Sequence, residues 1–111
     1  MKIVNRIKAS DDFALAIKKG KVQRNQSYVI HYRENEYGYT RVGISVSSKI
    51  GNAVVRNRVK RQIRAICDEL LCYSQAVDIV IIVRKNYLDR SFDDNKESFR
   101  QFLLKWIGII R

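Results

Sequence analysis

The stretch Lys49–Arg64, KIGNAVVRNRVKRQIR, constrains this chain more than any other. Placed on a helix from about Ala53 to Cys72, its residues separate by type at the 3.6-residue period. Val55, Val59, Ile63, Ile66 and Leu70 step by four, four, three and four and make one apolar stripe. Arg56, Lys60 and Arg64 form a ridge at i, i+4 and i+8, Asn57 and Arg61 widen it, and Arg58 turns further round. The stripe must bury against something, so the ridge faces solvent. Like charges at i,i+4 repel by a few tenths of a kcal/mol per pair, and no acid follows on this helix before Asp68 and Glu69. A helix shaped only for stability would interleave carboxylates. The charge points instead to a polyanionic partner. A membrane-surface helix would need its apolar face for lipid, and a small domain needs that face for its core.

The rest of the chain shares the bias. Lys and Arg number 22 against 11 Asp and Glu, a formal net charge of +11, and no acid lies between Tyr37 and Cys67. That is the electrostatic footprint of a nucleic-acid binder. The chain is nonetheless globular in make-up, at 46% hydrophobic and 10% aromatic residues. Its 111 residues suggest a single domain over 1–111, able to bury roughly two-thirds of its unfolded surface. Cys67 and Cys72 point about 140° apart on a helix, a poor arrangement for a shared disulfide or metal. Free thiols imply a reducing compartment. Residues 1–8 contain no apolar run of secretory type, and no segment approaches the roughly 18–20 apolar residues of a membrane span. A cytoplasmic protein without a membrane partner is expected.

Along the chain, Ser10 before Asp11 and Asp12 reads as a helix start with a capping hydroxyl, and Lys18, Lys19 and a left-handed Gly20 read as its end. Ser27–Arg33 alternates as a strand, with a short strand near Lys21–Gln23 before it. Glu34–Tyr39, carrying Asn35 and Gly38, reads as a hairpin loop into the strand Arg41–Ser47. In that strand Val42, Ile44 and Val46 face the core. Arg41, Gly43, Ser45 and Ser47 leave an open face that a ligand could approach closely. Val77–Val83, rich in β-branched residues, reads as a central strand buried on both faces. A last helix, from about Asp93 to Ile107 after a cap near Ser91 or Asp93, presents Phe99, Phe102, Leu103 and Trp106. The order helix, strands, helix, strand, helix indicates an α+β fold in two layers.

Free-standing nuclease chemistry is not legible. His31 is the single histidine, which excludes a paired-histidine mechanism. Two-metal cleavage needs converging carboxylates, whereas Asp11/Asp12 and Asp93/Asp94 read as helix-start charges and Asp78 stands alone. No P-loop, HExxH or zinc pattern is present. No catalytic residue and no metal ligand is assigned in this chain.

Gly51–Arg61, GNAVVRNRVKR, resembles the RNR signature of the bacterial ribonuclease P protein subunit. Arg41–Ser47 before it, Asp78–Lys85 after it, and Asp12-Phe13 and Lys19-Gly20 upstream extend the similarity over nearly the whole chain. The resemblance implies a two-layer α/β sandwich, ribosomal-protein-S5-domain-2-like, with a left-handed βαβ crossover through the basic helix. That hand departs from a rule obeyed by about 98% of such units. It also implies a function. The partner would be the catalytic ribonuclease P RNA, which holds most of the Mg²⁺ and does the chemistry. The protein, a monomer within the ribonucleoprotein, would support that RNA and contact the 5′ leader of precursor tRNA during endonucleolytic maturation.

Carried over by position, Lys49, Asn52, Arg56, Asn57, Arg58, Lys60, Arg61 and Arg64 would meet RNA phosphates. Phe13, Ile17, Val29 and His31 would line a leader cleft between the first helix and the sheet, where unstacked nucleotides lie on side chains. Ile17 stands where the family often has an aromatic, and His31 where it often has a tyrosine. The competing reading is a non-catalytic structural RNA-binding protein, such as a ribosomal protein or RNA chaperone. Composition alone does not separate the two.

Overall fold

The computed structural model describes residues 1–105. Trp106 and Ile107, expected in the last helix, lie outside the described residues. In chain order come α1 (Ser10–Lys19), β1 (Lys21–Arg24), β2 (Tyr28–Glu34), β3 (Arg41–Ser45), α2 (Ala53–Leu70), β4 (Val77–Val83) and α3 (Phe92–Lys105). Short 3-10 turns occupy Ile3–Asn5 and Lys85–Asp89. The strands form one mixed sheet in the order β1-β2-β4-β3. β4 lies inside it, antiparallel to β2 and parallel to β3, which α2 joins to it as a crossover.

Glu34–Tyr39 is therefore not a hairpin loop, because β4 separates β2 from β3. The turn chemistry is real: Asn35 Oδ1 accepts from the Tyr37 N–H, and Gly38 takes φ +80°. A turn sets local direction, however, and does not choose the strand's partner. The hairpin joins β1 to β2, where Asn25 Oδ1 accepts from the backbone N–H of Ser27 and Tyr28.

One sheet face carries the main core. Tyr28, Ile30, Val42, Ile79 and Ile81 pack against Val59, Ile63, Ile66 and Leu70 of α2 and Phe99, Phe102 and Leu103 of α3. This gives the expected α+β sandwich. Ser91 caps α3 by accepting from the Asp94 N–H. Asn52 caps α2 by accepting from the Val55 N–H.

The other face is crossed by α1, in a smaller cluster of Ile7, Ala16 and Val80 with Phe13 and Ile82 against it. Two expectations about α1 need correction. Ala9, not Ser10, is its cap residue, without a side-chain hydrogen bond, and Gly20 is extended at φ −78°. Gly20 is required for space instead: a Cβ there would collide with the Ala16 and Tyr32 carbonyls. The face is also less open than its small residues suggest. A Cβ on Gly43 would lie 2.5 Å from the tip of the Phe13 ring, so Gly43 makes room for α1 rather than for a ligand.

Candidate nucleic-acid interface

Burial along α2 follows the sequence periodicity. Val59, Ile63, Ile66 and Leu70 are buried, while Asn57, Arg58 and Arg61 are exposed and Arg56, Lys60 and Arg64 are half-buried. Lys49 and Asn52 are exposed in the turn that leads into the helix. Among the described residues, none of these cations forms an ion pair. Arg56 Nε is even buried without a hydrogen-bond partner. A protein that left these charges unpaired for its own stability would gain nothing from them. An external polyanion is the kind of partner that would offset their repulsion.

The ridge looks in two directions. Arg58 lies toward Tyr87, whose pKa burial pushes up to about 12 against the opposing pull of that guanidinium. Tyr87 in turn donates to Gln62 and ties the 85–89 turn to α2. Lys60 and Arg64 lie on the far side, with Arg6, Lys8 and Phe13 around a small pocket of about 260 Å³. Arg6 and Lys8 were missed in the sequence. They follow no helical spacing, and reach the site because Arg6 bridges to Val42 and Ile7 donates to the Val42 carbonyl.

The other proposed surface is laid out by strand register. Three rows cross the face behind α2: Arg24–Val29–Ile82–Ser45, then Val22–His31–Val80–Gly43, then Arg33–Asp78–Arg41. α1 runs over the middle row, from Phe13 above Gly43 to Gly20 beside Tyr32. Val29 and His31 are half-buried on this face and Ile17 is 43% exposed. Phe13 and Ile17 of α1 thus share a face of the sheet with Val29 and His31. Phe13 also packs into the small cluster beneath α1, so it anchors the helix whatever else it touches.

The third row is a buried ion network. Arg41 donates to Asp78 Oδ1 at 2.9 Å and Oδ2 at 2.7 Å, and to Asp12 at 3.3 Å. Its guanidinium also lies 4.0 Å from the Tyr37 ring centre. The Asp78 hydrogen bonds push its pKa up against the effect of burial, so its charge is fixed. Asn35 Nδ2 donates to the same Asp78 Oδ1. Arg41, expected to face away from the core, is only 8% exposed. Asp12 and Asp78 are committed here. No three His, Cys, Asp or Glu side chains come together as a metal ligand set among the described residues.

Comparison with known proteins gives the family. A family model described as Ribonuclease P matches residues 1–106. The ribonuclease P protein component of Mesoplasma florum is 41% identical over 103 residues, covering 91% of this chain and 94% of that protein. The chain belongs to the ribonuclease P protein family. The protein component of Streptococcus agalactiae is 46% identical over 110 residues, covering 99% of this chain and all of that one. Solved structures of the family share the fold. The Staphylococcus aureus RNase P protein superposes with a TM-score of 0.81 at 34% identity, over 96% of this chain and 98% of that one. The Thermotoga maritima RNase P protein gives 0.80 at 32% identity, over 93% and 98%. The α+β fold and the family read from the RNR motif both stand. No helix among the described residues is long and apolar enough to cross a membrane.

Proposed function

We propose that this chain works in the cytoplasm as the protein subunit of ribonuclease P, binding the catalytic RNA through α2 and the 5′ leader of precursor tRNA beside α1. The single observation behind this reading is the row of unpaired cations from Lys49 to Arg64 on a helix whose other face is core. Arg56, Arg58, Arg61 and Arg64 suit bidentate phosphate contacts, and Lys49 and Lys60 add point charges. Asn57 is free to hydrogen-bond the backbone, while Asn52 retains its amide N–H beyond the cap. The leader lies along Val29 and His31, against Ile17 and Phe13. Mg²⁺ belongs to the RNA in this reading. The protein contributes charge neutralisation and positioning, as a monomer within the ribonucleoprotein.

A purely structural RNA-binding role would need the ridge alone. Leader binding makes a separate demand on the face beside α1, and Ile17 tests it more cleanly than Phe13 because it is exposed. Ile17→Ala in the reconstituted holoenzyme is expected to weaken binding of precursor tRNA by about 1–2 kcal/mol, because less apolar surface is then covered by the leader. Binding of mature tRNA and the melting temperature should stay unchanged. Equal losses for tRNAs with and without a leader would remove α1 from the leader site.

A further inference from the structure

Gln62 stands four residues after Arg58, on the line of α2 that looks toward the 85–89 turn. It belongs neither to the apolar stripe nor to the basic ridge, and it is half-buried. Its amide is locked from one side. The Tyr87 O–H donates to Gln62 Oε1 at 2.8 Å, and neither side chain makes another hydrogen bond among the described residues. Tyr87 is 2% exposed, so its O–H has little access to water and needs the amide oxygen as its acceptor. The reverse orientation, with the amide nitrogen toward the phenol, would leave that buried O–H without a partner. Tyr87 is itself fixed: its carbonyl accepts from Asn95 Nδ2 at 3.0 Å and from the Arg90 N–H, and its ring centre lies 5.9 Å from that of Tyr28. The Gln62 amino group is thereby turned away from the phenol. It is not shut off from solvent, and it has no acceptor among the described residues.

We infer that Gln62, aimed by Tyr87, donates its amide N–H to a sugar–phosphate oxygen of the RNA that Arg58 engages. Arg58 and Arg61 are exposed and form no ion pair among the described residues, so a phosphate strand held by them passes within one helical turn of Gln62. A free amide can turn to suit a donor or an acceptor. This one, with its oxygen already taken, recognises acceptors alone, and a sugar–phosphate backbone is rich in them. Fixing a rotamer-rich side chain before the partner arrives also lowers the entropy lost on binding. Tyr87 acts as a positioning residue, since it reaches the RNA only through Gln62. The inference rests on the RNA-binding reading of α2 above. It adds a neutral contact on the side of the helix away from Lys60, Arg64 and Phe13.

Gln62→Met alone would strand the Tyr87 O–H and disturb folding, so the test pairs it with Tyr87→Phe, which removes both partners at once. The double variant is expected to melt close to the parent and to bind the ribonuclease P RNA about three- to tenfold more weakly. Its salt slope should match the parent's, because a neutral donor releases no counterion, whereas Arg58→Ala lowers the slope. Tyr87→Phe alone, which frees the amide to turn, should lose about two- to fivefold. The acceptor is found by scattering 2′-deoxy and phosphorothioate substitutions through the RNA. One nucleotide should weaken binding of the parent and not of the double variant, and the effective substitution tells hydroxyl from phosphate. Parental affinity in the double variant, beside a loss in Arg58→Ala, would overturn the Gln62 contact and leave the RNA face of α2 in place. Parental affinity in Arg58→Ala as well would remove that face and the inference with it. A weak double variant beside an unaffected Tyr87→Phe would overturn the positioning role, and identical interference maps for parent and double variant would overturn the backbone oxygen.

Discussion

Asp78→Ala is expected to destabilise the domain by about 3–5 kcal/mol, because it strands a buried guanidinium without its carboxylate. Arg41 is 8% exposed and takes both Asp78 oxygens, with Asp12 as a weaker, more exposed partner. The damage should spread further than this pair. Asp78 also accepts from Asn35, and Arg41 lies against Tyr37, so the 35–40 connection and the N-terminal end of α1 share one anchor. For a domain of this size the melting temperature should fall by well over about 10 °C. Replacing both partners with apolar residues, as in Arg41→Met with Asp78→Leu, should cost less than the single change, since no charge is then left alone. Thermal unfolding of the two variants measures this directly. A single variant milder than the double would show that Asp12 or solvent satisfies Arg41 unaided.

Ile63→Asp should leave the chain unfolded at ambient temperature. Ile63 is 1% exposed between α2 and the sheet, where a carboxylate has neither water nor a cation. Arg58→Ala, Lys60→Ala and Arg61→Ala, on the opposite side of the same helix, should melt normally. They should instead weaken binding to the RNA subunit and lower the salt slope by up to about one for each phosphate no longer neutralised. Circular dichroism melting beside salt-dependent RNA titration separates the effects. Early melting with retained affinity in the Arg and Lys variants would reverse the facing of α2.

The two faces of α2 were legible because composition and periodicity coincide there: apolar and basic residues never exchange places from Val55 to Arg64. β4 was legible for a similar reason, since β-branched residues dominate Val77–Val83. What depended on distant partners was not. The alternation of Arg41 with Val42 pointed Arg41 outward, and nothing local reveals Asp78, 37 residues on, waiting to bury it. Gly43 looked like an opening until α1 laid Phe13 on it. Turn residues at Asn35 and Gly38 announced a reversal, but not that β4 would later take the place between β2 and β3. Arg6 and Lys8 joined the basic surface only through a bridge to Val42. The RNR motif, by contrast, carried the family by itself.

The most direct test is cleavage of precursor tRNA at low Mg²⁺ by the ribonuclease P RNA alone, by the pure chain alone, and by the two together. Expected is efficient release of the leader only in the mixture, with none from the chain by itself. Cleavage by RNA-free protein, abolished on replacing one of its own carboxylates, would place the chemistry in this chain and contradict the assignment of catalysis to the RNA.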